Sequence, residues 1–337
     1  MAKAVRLSDI AKRVGVSTVT VSKALSDQSG VSEEKREDIK AVAKKMGYVR
    51  SRASKSTQNT GNIGVLIPNH FLAEGHSFYW AMYQQLVESM TQLGYYAILE
   101  ILNHEEEENL QLPKMVLDQK IEGLIIMGQV SEAYGEYMSH NNDVPMMLLD
   151  AYNDVQQLDA VISDGFYGMY ALTNYLISQG HKKIGFLGTI LATSSITDRY
   201  LGYMKAMMEH HLDINEAWII PDRDLTYGNS IDIELPNILP TAFACNCDAV
   251  ANMLIKKIEE KNLSVPQDIS VVGFDNYLYP TITYRGITTY EVNMERMATT
   301  CVNTLLEKIQ KRPFVKGIQI VTGEMVLKES VRNISML

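Results

Sequence analysis

Apolar positions along this chain follow two different rhythms, and the change between them divides the sequence. In the first 48 residues the rhythm is helical. Leu7, Ile10, Ala11 and Val14 form one stripe, Gly15 permits a sharp turn, and Val16 plugs it. Ser17 suits the N-cap of a second helix, whose Val21 and Leu25 face the same small core. A third helix follows. Ser32 is placed to cap it, Glu33 and Glu34 sit in its first turn, Ile39, Val42, Ala43 and Met46 line one face, and Gly47 terminates it. Two helices at this spacing, joined by a glycine turn, predict a helix–turn–helix. Thr18, Val19, Ser22 and Lys23 are left on the outer face of the second helix, with Thr20 between them. That is where a reader of the DNA major groove carries its base and phosphate contacts.

From residue 62 the rhythm changes to short continuous apolar runs that alternate with helical stripes. Strands are predicted at Ile63–Ile67, 97–102, Gly123–Met127, Met146–Leu149, 160–163, Ile184–Leu187, Ala242–Cys245 and 270–274. Between them fall helical patterns at 77–93, 105–118, 165–179, 197–211 and 248–261. Fully apolar strands alternating with amphipathic helices imply parallel sheets covered on both faces. Two such runs predict an α/β body of two doubly wound parallel-sheet lobes behind the all-α head. The expected limits are 1–48 for the head, 49–61 for a polar linker and 62–337 for the body. Within the body, one lobe takes about 62–160 and 292–322, the other about 161–290 and 323–337.

Charge separates the same two parts. The first 60 residues hold 13 of the 31 Lys and Arg but only 6 of the 40 Asp and Glu, so they carry +7 and the remainder −16, for a net −9. Phosphate attraction is thereby confined to the head and the basic start of the linker, including Arg52 and Lys55. No run approaches the roughly 18 apolar residues of a membrane-spanning helix, and the first residues lack the apolar core of a secretory signal. With three cysteines, an odd number, the reading is a cytoplasmic protein with reduced thiols, no membrane partner, no metal and no cofactor.

In doubly wound sheets ligands bind beyond the carboxyl ends of strands. The polar residues at those ends are Asn69, Asp150, Asp164, Asn246 or Cys247, and Asp275. Asp164 can instead cap the helix opening at Gly165. Carboxylates that accept from hydroxyls, together with aromatic rings, suit a mono- or oligosaccharide between the lobes, with a purine or a phosphorylated sugar as alternatives. His181, in a Gly-His turn, reads as structural, and Trp80 as packing.

The run from Leu7 to Leu25 resembles the reader of the lactose-repressor/galactose-repressor family of bacterial transcription regulators. Blocks along the whole chain fall in that family's order: Ile63–Ile67, Val144–Asp150, Gly180–Gly188, Asp198–Tyr203, Val271–Asn276 and Gly286–Thr289. The resemblance implies a homodimer on a near-palindromic operator and a periplasmic-binding-protein-like body that holds a small effector. It implies groove contacts at Thr18, Val19, Ser22 and Lys23, where Lys23 replaces the usual arginine with a point charge. It makes Arg199 the effector-gripping arginine, Asp275 a hydroxyl-binding aspartate, and Phe78 and Tyr79 cleft-wall positions; Tyr79 also fits the core stripe of its helix.

Two departures stand out. Cys247 precedes Asp248 where the family has an effector-binding asparagine, with Asn246 one place earlier. In the linker, Thr57 replaces the leucine that wedges into the minor groove, so less operator bending is expected. A free solute-binding protein is disfavoured by the head and by the missing signal. An enzyme is disfavoured because no Gly-x-Gly-x-x-Gly, Walker or Gly-x-Ser-x-Gly pattern opens a strand–helix unit.

Overall fold

The computed structural model describes residues 7–16, 18–25, 31–46, 60–72, 77–153, 158–277, 284 and 286–335, with the side chains of 7–9, 18, 19, 22 and 23 left out. The chain forms two compact units, Met1–Gln58 and Asn59–Leu337.

The first unit contains α1 (Leu7–Val14), α2 (Thr18–Leu25) and α3 (Glu33–Lys45). Ile10, Ala11, Val21, Ala24, Ile39 and Ala43 are its buried core, with Val14, Val16, Leu25, Val42 and Met46 packed around them. Gly15 turns the chain at φ +69°, a left-handed conformation that costs glycine least. The Val16 amide then donates back to the Ala11 carbonyl at 3.1 Å. The Ser32 backbone is extended at the start of α3, but its side chain makes no capping bond. Instead Arg36 is buried, with Nε 3.3 Å from Glu33 and Nη2 donating to the Val31 carbonyl. Ser17, Gly47, Arg52, Lys55 and Thr57 lie outside the described residues, and with them the linker expectations.

The second unit has two parallel sheets. The first comprises β1 (Asn62–Pro68), β2 (Tyr96–Leu102), β3 (Gly123–Met127), β4 (Met146–Leu149), β5 (Asp159–Ser163) and β11 (Ile318–Val321), in the order β11-β5-β4-β3-β1-β2. The second comprises β6 (Ile184–Leu187), β7 (Ile219–Ile220), β8 (Ala242–Cys245) and β9 (Ser270–Val272), in the order β7-β6-β8-β9. Successive residues point to opposite faces: Val65 and Phe186 join one core, Leu66 a second, Leu187 a third. Both faces of each sheet are therefore apolar, which is why the strands read as continuous runs. The first sheet is covered by α4 (Phe78–Gln92), α7 (Glu132–Asn141) and α11 (Met294–Ile309), the second by α8 (Gly165–Ser178), α9 (Ser194–Glu209) and α10 (Asp248–Glu260).

The chain passes between lobes three times: after β5, after β10 (Thr289–Glu291), and between β11 and β12 (Glu324–Val326). These passages are tied together. Asp164 N donates to the Val321 carbonyl at 3.1 Å, Gly323 N to the Tyr290 hydroxyl at 3.0 Å, and β10 pairs with β12. Ser163 pairs with Val321 in the first sheet, so the first passage falls a few residues later than the 160/161 expected.

The helix expected at 105–118 is two, α5 (His104–Glu108) and α6 (Lys114–Leu117). Leu110 takes φ +52°, and Pro113, which has no N–H to continue a ladder, stands at the cap of α6. Helix α9 begins at Ser194, before the expected 197, because Thr193 caps it by accepting from Ile196 N at 3.1 Å.

Candidate functional site

The carboxyl ends of β4, β8 and β9 meet α4 and α9 around an inner cavity of about 170 Å³. Seven of the nine effector candidates line it: Phe78, Tyr79, Asp150, Arg199, Asn246, Cys247 and Asp275. Phe78 and Tyr79 come from the first turn of α4, whose N-cap Ser77 accepts from Trp80 N. Arg199 comes from α9. Asn69, in the single 3₁₀ turn after β1, lines a larger outer chamber instead. Asp164 is not brought to the cavity; it caps α8, its carboxylate accepting from Tyr167 N at 3.1 Å.

Asp150 and Asp275 end their strands in left-handed backbone, at φ +58° and +98°. Such geometry costs an aspartate about 1–3 kcal/mol and persists where surrounding contacts hold it. Here Asp150 N donates to the Val161 carbonyl and Asp275 N to the Tyr290 carbonyl, both at 2.9 Å. The two carboxylates reach the cavity from opposite lobes.

On the first lobe, Tyr79 Oη donates to Asp150 Oδ2 at 2.9 Å. Burial raises the Asp150 carboxyl above the usual range, opposed by the charge of Arg199 and by hydrogen bonds from Tyr79 and Ser163. On the second, Arg199 lies between three partners. Its Nη1 donates to the Asn246 carbonyl at 2.7 Å, Nη2 is 3.3 Å from Asp275 Oδ1, and its guanidinium carbon is 4.0 Å from the Phe274 ring centre. Burial pushes Asp275 up to about 7 despite Arg199, with the charge of Asp150 adding to the rise. Arg199 Nε and Asp275 Oδ1 are buried without a hydrogen-bond partner; the 3.3 Å ion pair is close in charge terms but poorly aligned. A site with spare donor and acceptor capacity of this kind suits a ligand that can both give and take hydrogen bonds.

Asn246 contributes its carbonyl rather than a free amide: its Nδ2 donates to Asp222 Oδ2 at 3.0 Å. Sequence reasoning missed this Asp222 and its neighbour Arg223. Arg223 lines the inner cavity and donates through Nε and Nη2 to Asp222 at 3.0 and 2.7 Å. Burial works against the Asp222 charge, yet Arg223, Asn246 and the Thr189 amide hold its carboxyl below the usual range. The signal was available, since Pro221-Asp222-Arg223 follows the apolar pair Ile219-Ile220, but two residues were too short to register as a strand. His70, Thr193 and Ser195 were also missed. Burial pushes the Cys247 thiol up to about 12, which keeps it protonated and unreactive at neutral pH. His181 is structural, buried between the Thr241 hydroxyl and the Arg332 carbonyl.

In the head, α2 carries Thr18, Val19, Thr20, Ser22 and Lys23 as one short helix, and Thr20 is half-buried. Among the described residues no helix is long and apolar enough to cross a membrane. None of their His, Cys, Asp and Glu side chains cluster as a metal site.

A three-helix reader followed by two lobes around a buried polar cavity defines a DNA-binding regulator that senses a small molecule. Comparison with known proteins gives the same class. Residues 6–51 match the bacterial regulatory proteins of the lacI family, and residues 173–331 match the periplasmic binding protein-like domain. The HTH-type transcriptional repressor PurR of Glaesserella parasuis serovar 5 (strain SH0165) is 29% identical, over 98% of this chain and 99% of its own length. A lac repressor dimer bound to operator and the anti-inducer ONPF shares the fold at TM-score 0.65 and 24% identity, covering 98% of this chain and 100% of that one. A CelR–cellobiose complex does so at TM-score 0.67 and 18% identity, covering 97% and 99%. The chain joins a reader of the lacI family of bacterial regulatory proteins to a periplasmic binding protein-like body. It is a DNA-binding transcriptional repressor rather than an enzyme.

Proposed function

We propose that this repressor is controlled by a small, uncharged, hydroxyl-rich effector, a sugar, bound between its lobes. The observation that carries the reading is the convergence of Asp150 from one lobe with Asp275 and Arg199 from the other on one cavity. The charged groups lining it balance: Asp150 and Asp275 against Arg199 and Arg223, each arginine already facing a carboxylate. A phosphorylated ligand would meet two aspartates and no surplus cation, so a neutral polyol fits better. The phenyl rings of Phe71 and Phe78 beside Tyr79 favour a second reading, a purine base stacked on that wall. Whole-length likeness to repressors named PurR is a further reason to test it.

The effector acts by linkage. It stabilises one angle between the lobes, and in a homodimer that angle sets the spacing of two heads on a near-palindromic operator, about 34–36 Å or a multiple. In this reading residues 1–48 form the head, 49–61 the linker and 62–337 the body. Ser17, Thr18, Val19, Thr20, Ser22 and Lys23 meet the operator, and Arg52 and Lys55 meet phosphates.

The test is a thermal-shift panel of neutral sugars, sugar phosphates and purine bases against the full chain, since a ligand that binds only the folded state raises its melting temperature. A neutral sugar is expected to give the largest shift, and Arg199→Ala to abolish it. A shift from a purine base alone would transfer the site to the second reading. Sedimentation with and without a twofold-symmetric duplex tests the dimer.

A further inference from the structure

The inner cavity does not end at the cleft. Through His70 and Thr193, which line both, it continues into an outer chamber of about 840 Å³. Small-molecule sites usually span about 300–1,000 Å³. The inner cavity, at about 170 Å³, is small for a complete ligand. The outer chamber is built from both lobes: Asn69, His104 and Gln129 on the first, Thr193, Tyr227 and Asn229 on the second.

Its outer wall is a fixed loop. The Asp224 carboxylate accepts from the amides of Thr226, Tyr227 and Asn229 at 3.0, 2.6 and 2.9 Å. Gly228 takes φ +69° with the His70 ring 3.1 Å from where a Cβ would stand, so a side chain there would push the ring aside. Tyr227 is thereby presented across the mouth, where it meets the His104 ring edge-on at 4.7 Å and 72°. It still keeps 53% of its surface exposed. No Lys or Arg stands among the described residues that line the chamber, whereas Glu107, Glu108, Glu132 and Asp224 do. Glu108 faces His104 at 3.1 Å and Glu107 accepts from Ser131 N. An anionic group would be repelled here. A neutral ring with an apolar C–H face and hydroxyl edges is what an exposed tyrosine and amide side chains accommodate.

We propose that the outer chamber is a second sugar subsite, so that the effector is a disaccharide or longer. Its terminal unit fills the inner cavity, and its next unit lies against Tyr227 within reach of Asn69 and Asn229. This rests on reading the inner cavity as a sugar site.

The test is calorimetric titration of the full chain with matched neutral pairs: glucose with cellobiose and maltose, galactose with lactose, xylose with xylobiose. One disaccharide is expected to bind about tenfold or more tighter than its own terminal unit. Tyr227→Ala is expected to erase that advantage while monosaccharide affinity stays within about twofold; Tyr227→Phe, which keeps the ring, is expected to retain it. A monosaccharide that binds as tightly as every disaccharide overturns the second subsite and leaves the inner site standing. Equal weakening of both by Tyr227→Ala does the same. If no saccharide of either length binds a chain that still binds DNA, the sugar reading itself fails, and the second subsite with it.

Discussion

Arg199 is the residue on which the site turns, because it is buried, paired to Asp275 and bonded to the Asn246 carbonyl, all within the second lobe. Hydrogen bonds to charged groups contribute about 1.5–3 kcal/mol each. Arg199→Ala should therefore weaken effector binding by at least about a hundredfold, measured by titration. Tyr79→Phe removes the donor to Asp150 and should lower the melting temperature by a few degrees, about 2–4 °C for each kcal/mol lost. Asp275 sets a pH dependence. Hydroxyls donating to it stabilise the ionised form, so binding releases a proton from a carboxyl that titrates near 7. Effector affinity should rise from pH 6 to 8, by up to about tenfold per unit below that point, and Asp275→Asn should flatten the profile. For folding the sign is opposite. Its folded pKa is raised, so its contribution is fully present below about pH 4 and is lost as pH rises through about 7. At this scale the strand-end rule found Asp150, Asn246, Cys247 and Asp275 because burial makes a polar residue after an apolar run conspicuous. It left Asp164 between an effector contact and a helix cap, and the structure gives it the cap; it could not find that Asn246 turns its amide to Asp222. The Asn246 contact depends on a neighbour 24 residues away in sequence.

Among elements, α8 packs tightly against α9, the helix that carries Arg199. At Gly202 a Cβ would stand 2.1 Å from the Phe166 carbonyl oxygen, which is backbone and cannot rotate away. Gly202→Ala should force the pair apart and cost about 3 kcal/mol or more, seen as a melting-temperature loss of roughly 6–12 °C. It should also weaken effector binding, because α9 moves with Arg199. Apolar runs made most strands legible, since both faces of each sheet are covered; Gly123–Met127, Met146–Leu149 and Ile184–Leu187 fall where the pattern put them. Elements shaped by one residue were less legible. Pro113 divides 105–118 into two short helices, and β7 is only two residues long, so the Asp222-Arg223 corner beyond it went unread.

For the whole molecule, the two-part design follows from charge and periodicity together. A basic head on an acidic body places nearly all phosphate attraction in one unit, so operator affinity should fall steeply with salt. Three tied passages join the lobes, so a ligand that bridges Asp150 and Asp275 favours one lobe angle to the extent that it prefers that angle. The decisive measurement is fluorescence anisotropy of the purified chain on a selected twofold-symmetric duplex, titrated with and without the sugar identified by thermal shift. The account predicts that the sugar changes operator affinity by at least about tenfold, in the range of ordinary coupling energies, and that Arg199→Ala binds the same duplex but ignores the sugar. Unchanged operator affinity at saturating sugar, or an Arg199→Ala chain that responds like the natural one, would contradict it.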